Sequence, residues 1–207
     1  MNYPYKTLES ISKEKFLGTF SNSVTAIYLD IPLKMMSART VLEKFLLVQA
    51  GFAVDLAVGY VTREHDDLDL TTLVADIPTF KEIFHKANFE VATYPNTDPS
   101  LSFYAHTFIQ DIQKDINIDV VGIDISGDDV IDRKVSGGEK FIFPIKASEL
   151  VWERKIGEVP VQFFSPYLVY KFKKMQQKRD VVMEKNEKDF DILEKFYPQL
   201  KSSAPNA

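Results

Sequence analysis

The chain has 207 residues, 45% hydrophobic and 13% aromatic, with 25 Lys plus Arg against 30 Asp plus Glu, a formal charge of -5. That apolar share can bury the core of one domain, with room for a small appended unit, and excludes an extended disordered chain. The acidic balance argues against a protein that neutralises many phosphates, the lack of cysteine removes disulfides and thiolate metal sites, and no run approaches the roughly 20 apolar residues of a membrane helix. The first residues, "MNYPYKTLESISKEKF", lack the cationic start and apolar run of a signal peptide, so a cytoplasmic protein with neither nucleic acid nor membrane as partner is expected.

Residues 1–36 are mixed in character; "AIYLDI" at 26–31 reads as a β-like run stopped by Pro32. Ser37 can cap a short helix, "ARTVLEKFL", in which Val41, Leu42, Phe45 and Leu46 recur at one-turn spacing. "LLVQAG" then reads as a strand ending at Gly51 and "FAVDLAVG" as a short helix ending at Gly59, with "YVTRE" as a loop. After the acidic stretch "HDDLDL", a helix opening at Pro78 buries Phe80, Ile83, Phe84 and Ala87. "FEVAT", "LSFYAHTFI" and "INIDVVGI" read as strands, "SGDDVIDRKVSGGEK" as loop and hairpin, and "KFIFPI" and "VPVQFF" as short strands around a segment carrying Trp152. From Pro166 the pattern becomes helical, with Leu168, Phe172, Met175 and Val182 on one face, and a last helix, "EKDFDILEKFY", stops at Pro198. This order points to an α/β (α+β) domain with a mixed sheet and a C-terminal helical piece. The division expected is an N-terminal extension at 1–36 packed on the core, a core at 37–164, a helical segment at 165–197 and a frayed tail at 198–207.

Chemistry concentrates in "HDDLDL". On a strand, side chains two apart share a face, so Asp67 and Asp69 project together while Leu68 and Leu70 pack inward. Two ionised carboxylates held side by side repel unless a cation lies between them, and hard oxygen donors suit Mg²⁺. In "INIDVVGI", Ile116, Ile118 and Val120 take one face and Asp119 the other, so Asp119 is the candidate third acid of a two-metal site with ions about 3.5–4 Å apart; Asp124 is the alternative. A carboxylate there can also deprotonate an acceptor hydroxyl. His65 is read as an orienting hydrogen-bond donor and Asp66 as a local partner of Arg63 or a backbone cap; His85 and His106 are read as structural. Lys171, Lys174 and Lys178 share one side of the Pro166 helix, where they face either a triphosphate or only solvent. "VSGGEK" lacks phosphate-loop spacing and reads as a hairpin turn.

The run "AGFAVDLAVGYVTREHDDLDL" closely resembles the opening of the aminoglycoside 2''-nucleotidyltransferases and the related lincosamide nucleotidyltransferases of the polymerase-β-like superfamily. Their pattern is a Gly-Gly turn, an aromatic, an Ala-aliphatic-Asp helix, a Gly, then Thr-Arg, one variable residue and His-Asp-Asp-aliphatic-Asp-Leu. "SPYLVYKFKKMQQKR" followed by "EKDFDIL" is similar to the superfamily's Ser-Pro, Lys, Arg and Lys-Asp-x-x-Asp-aliphatic run. The resemblance implies a nucleotidyltransferase fold, a central mixed sheet flanked by helices. It further implies a Mg²⁺-dependent transfer of NMP, with AMP expected, from a nucleoside triphosphate to a hydroxyl of an aminoglycoside-like or lincosamide-like small molecule. By the same resemblance Asp67, Asp69 and Asp119 hold two Mg²⁺ and do the chemistry, while Gly51, Arg63, Lys171 and Lys174 bind the nucleotide. One departure stands out: the first glycine of the pair is Ala50 here, whose methyl narrows the turn or opposes a positive φ angle. The alternatives are a protein acceptor, as in toxin or antitoxin members of the superfamily, and a catalytically degenerate nucleotide-binding module; a monomer or a homodimer fits either.

Overall fold

The computed structural model describes residues 6–38, 44–93, 95, 98–110, 113–126, 130–134, 140–143, 150–177 and 184–201. Its elements in chain order are β1 (Lys6–Ile11), α1 (Lys13–Leu17), α2 (Val24–Ser37), β2 (Leu46–Val48), α3 (Ala50–Val58), β3 (Leu68–Leu73), α4 (Ile77–Lys86), β4 (Glu90–Ala92), β5 (Ser102–Ile109), β6 (Lys114–Ser126), β7 (Val130–Lys134), β8 (Lys140–Phe143), β9 (Val151–Ile156), β10 (Val159–Phe164), α5 (Pro166–Gln177) and α6 (Glu184–Phe196). The main path of the sheet runs β1-β9-β10-β2-β3-β6-β5-β4, and the β7–β8 hairpin extends it from the far end of β6.

The sheet is mixed because hairpins alternate with crossovers. β3 and β6 are parallel neighbours, since α4, β4 and β5 intervene in sequence, whereas β2–β3, β9–β10 and β5–β6 are antiparallel. β1 is parallel to β9 and forms one edge of the sheet. The strands β3 and β6 send Leu68, Leu70, Ile116, Ile118 and Val120 into the core with no exposure. The opposite face carries Asp69 and Asp119, both partly buried.

Three readings of the sequence are corrected. "AIYLDI" is not a strand but part of α2, and Pro32 lies inside that helix. The buried residues Thr25, Tyr28, Leu29, Pro32, Met35 and Met36 follow helical spacing, so the packing of this face outweighs the backbone bond that Pro32 cannot donate. Ser37 does not open a helix: it is the last residue of α2, its hydroxyl donates to the Lys34 carbonyl, and Leu46 begins β2, while Val41 and Leu42 lie outside the described residues. The segment carrying Trp152 is a full strand, β9, at the centre of the β1–β9–β10 ribbon. "VSGGE", read from the sequence as a hairpin turn, lies outside the described residues, and so do Lys178 and Val182. Among the described residues no helix is long and apolar enough to cross a membrane.

Candidate active site

The site is built at the entry of β3. β2 leads into α3 through a tight turn at Gln49, whose N–H donates to the Asp69 carbonyl at 2.9 Å, and Ala50 makes that turn with φ at +53°. The left-handed angle is one an L-residue adopts at a cost of about 1–2 kcal/mol, so the methyl does not forbid the turn; the chain carries strain there. Gly51, next along, is needed for close packing: a Cβ would come within 2.8 Å of His65 Cε1 and would collide with the Arg63 guanidinium. Gly59 closes α3 in the left-handed conformation, its N–H bonded to the Asp55 carbonyl.

Asp55, fully buried in α3, organises the loop that follows. Its Oδ1 accepts from Thr62 N–H (3.0 Å) and the Thr62 hydroxyl (2.6 Å), and its Oδ2 lies 2.6 Å from His65 Nε2. Burial pushes the Asp55 carboxyl up, against the pull of His65 and Thr62. The His65 ring stacks on Phe52 with centroids 3.9 Å apart, and its backbone N–H donates to Thr25 Oγ1 at 3.0 Å. His65 therefore orients the loop from inside the protein. Asp66 is exposed, and its carbonyl accepts from the Tyr28 hydroxyl at 2.5 Å.

Asp67 stands just before β3, and Asp69 is directly opposite Asp119 on the parallel neighbour β6. Burial, then the charges of Asp67 and Asp119, push Asp69 up to about 7, while Lys173 and Lys185 pull it back. Asp69 thus feels the charge of both other acids. The three do not close on a single point, however: among the described residues no three His, Asp or Glu side chains converge on a common ion position. Lys185 Nζ reaches Asp67 Oδ2 at 3.5 Å and takes up part of the negative charge. The donor set itself, three carboxylates, is of the kind that suits a hard divalent cation. Asp124 lies further along β6, opposite Asp132.

On the basic side, the lysines of α5 take different surroundings. Lys171 Nζ sits 4.9 Å from the Tyr167 ring centroid, and Lys174 Nζ 4.4 Å from that of Phe190. Lys173 is buried, lining a small cavity of about 90 Å³ with Gln49, Ala50, Asp69, Phe164, Val169 and Phe172. Lys173 Nζ pairs with Asp189 Oδ2 at 2.7 Å and donates to Asn186 Oδ1 at 3.0 Å. Arg63 Nε lies 3.4 Å from Asp189 Oδ1, so the buried Asp189 of α6 is bracketed by two cations and fastens the C-terminal helices to the acidic loop. Asp55, Lys173 and Asp189 fall within the quoted runs of sequence but were given no role there. Their signal was an ionisable residue on an apolar helical stripe: Asn186, Asp189, Phe190 and Leu193 form the buried face of α6.

The model of the family Aminoglycoside-2''-adenylyltransferase matches residues 33–166, well over half the chain. The chain belongs to the aminoglycoside-2''-adenylyltransferase family. It is accordingly an enzyme of the nucleotidyltransferase class. Solved structures of this class share its fold. The lincosamide antibiotic adenylyltransferase LnuA, determined with lincomycin, aligns with TM-score 0.58 at 13% identity, covering 84% of this chain and 96% of LnuA. ANT(2'')-Ia, determined with adenylyl-2''-tobramycin, gives 0.55 at 16% identity over 86% of this chain and 94% of that one. A nucleotidyltransferase from Thermotoga maritima gives 0.52 at 15%, over 75% and 88%. No curated protein sequence matches. The aminoglycoside-2''-adenylyltransferase model begins inside α2, so β1, α1 and the first turns of α2 lie before the matched span.

Proposed function

We propose that this family member transfers a nucleoside monophosphate, AMP by the family's chemistry, from a nucleoside triphosphate to a hydroxyl of a small-molecule antibiotic, with Mg²⁺ as cofactor. The observation that carries this reading is the apposition of Asp69 and Asp119 on neighbouring strands, with Asp67 close enough to raise the Asp69 pKa. Asp67, Asp69 and Asp119 would hold the divalent ions, whose contribution is to polarise the phosphoryl oxygens and offset their charge. Asp119 also accepts the proton of the acceptor hydroxyl as its oxygen attacks the α-phosphorus and pyrophosphate departs. Lys173 and Arg63 supply positive charge from the floor and flank, and both are already fixed by Asp189, so little reorganisation is needed. The turn at Gln49 and Ala50, with Gly51 behind it, offers backbone N–H groups at the start of α3 for the triphosphate.

The test is a product assay with labelled nucleoside triphosphates, Mg²⁺ and a panel of aminoglycosides and lincosamides, beside the Asp67→Asn, Asp69→Asn double variant. A nucleotidylated product from the native chain alone supports the reading. Equal product from both proteins refutes the site, and a one-nucleotide mass gain on a co-purified protein with none on the panel moves the acceptor to protein.

A further inference from the structure

The two strands that present the acids are tied together by a side chain from outside the matched span. Tyr28 of α2 is fully buried, and its hydroxyl uses both of its bonding capacities. It donates to the Asp66 carbonyl at 2.5 Å and accepts from the Asn117 N–H at 3.1 Å. The first bond fixes the peptide that carries Asp67; the second fixes β6 two residues before Asp119. One turn earlier on α2, the buried Thr25 accepts from the His65 N–H at 3.0 Å. Thr25 and Tyr28 therefore grip the acidic loop on either side of Asp66 from one face of one helix. Ladder pairing between β3 and β6 starts at Leu68 and Ile118, so Tyr28 holds the strands together where their own ladder has not begun.

We infer that Tyr28 is a positioning residue that sets the spacing between Asp67 and Asp119, and with it the affinity of the site for divalent cations. The inference rests on the metal-dependent reading of these acids. Its logic is that groups behind metal-binding side chains commonly change affinity about 10–100-fold when removed, because ligands left to drift lose pre-organisation. Tyr28 touches no reacting atom; it acts through the backbone of the two strands. The ring also packs edge-on against Phe52, with centroids 6.4 Å apart, a contact that a phenylalanine at the same place would keep.

The experiment is Mn²⁺ binding by electron paramagnetic resonance, with thermal unfolding in parallel, on the native chain, Tyr28→Phe and Leu29→Ala. Leu29 is a buried α2 residue with no hydrogen-bonding side chain, so it reports destabilisation of the helix alone. The expected result is Mn²⁺ affinity weakened about tenfold or more in Tyr28→Phe and unchanged in Leu29→Ala, although Leu29→Ala loses more thermal stability. Unchanged affinity in Tyr28→Phe, or equal weakening in both variants, overturns the inference while leaving the metal reading intact. A native chain that binds no Mn²⁺ overturns the metal reading and this inference together.

Discussion

Lys173 and Asp189 form an ion pair of 2.7 Å in which both side chains are almost wholly withdrawn from solvent. Such a pair is costly to break from one side, because the surviving charge stays buried without its partner. Asp189→Asn is expected to lower unfolding free energy by about 3–5 kcal/mol. Replacing both residues, Lys173→Met with Asp189→Leu, should cost less than Asp189→Asn alone. A double-mutant cycle by urea denaturation checks the sign, and a double variant as unstable as the sum of its singles would contradict the pairing.

On the proposed reading, Asp69 should make the protein's stability depend on both pH and metal. Its folded pKa is raised from 3.8 to about 7, so between those values the folded state holds a proton that the unfolded chain has released. Stability without metal therefore falls as pH rises across that window and levels off above about 7. A divalent cation reverses the effect by replacing the proton as counter-charge. The thermal midpoint should accordingly rise more on adding Mg²⁺ at pH 8 than at pH 6, and Asp69→Asn should be more stable than the native chain at pH 8 in chelator. Equal Mg²⁺ shifts at the two pH values would count against it.

Ala50 and Gly51 should respond with opposite signs. Ala50 carries φ of +53°, so Ala50→Gly relieves a left-handed strain that exceeds the entropy a glycine adds to the unfolded chain, for a net gain of about 0.5–1 kcal/mol. Gly51→Ala places a methyl 2.8 Å from His65 Cε1 and should cost about 1–3 kcal/mol. Paired chemical denaturation curves test both.

Arg154 anchors the far end of α3. Its guanidinium donates to the carbonyls of Leu56 (2.7 Å), Ala57 (3.2 Å) and Glu9 (3.2 Å), and the Tyr197 hydroxyl adds a bond to Ala57 (2.8 Å). Arg154→Met leaves those carbonyls without charged donors and should destabilise by about 2–3 kcal/mol. Arg154→Lys should recover only part of this, because an ammonium cannot reach three carbonyls with a planar fork. Hydrogen exchange of the α3 amides is the direct readout.

The elements that could be read from sequence were those whose period was unambiguous. Around their acids β3 and β6 alternate, so the opposition of Leu68 and Leu70 to Asp69, and of Ile118 and Val120 to Asp119, was visible without coordinates. α2 was not, because six apolar-rich residues before a proline fit a strand as well as a helix, and only burial of Tyr28, Met35 and Met36 on one side decides between them. For the lysines, spacing showed that three share a helix side but not which side faces the core. Lys171 and Lys174 settle over aromatic rings, and Lys173, two positions after the first and one before the second, lines the same cavity as Asp69. The bonds from Asp189 to Arg63 and from Tyr28 to Asn117 join segments distant in the chain and leave no local signature.

The edge strand β1 has a consequence for how the chain acquires its shape. Lys6, Thr7 and Leu8 pair with Trp152, Glu153 and Arg154, and the Arg154 bond to Glu9 spans 145 positions of sequence. β1 therefore has nowhere to dock until β9, far along the chain, has also been made. Closing so long a loop is entropically slow, so the final docking of β1 should form the late, rate-limiting phase of refolding. Until then β9 is itself a bare edge, and a translation product that stalls after residue 164 with β1 clipped away would expose it to pairing with other chains.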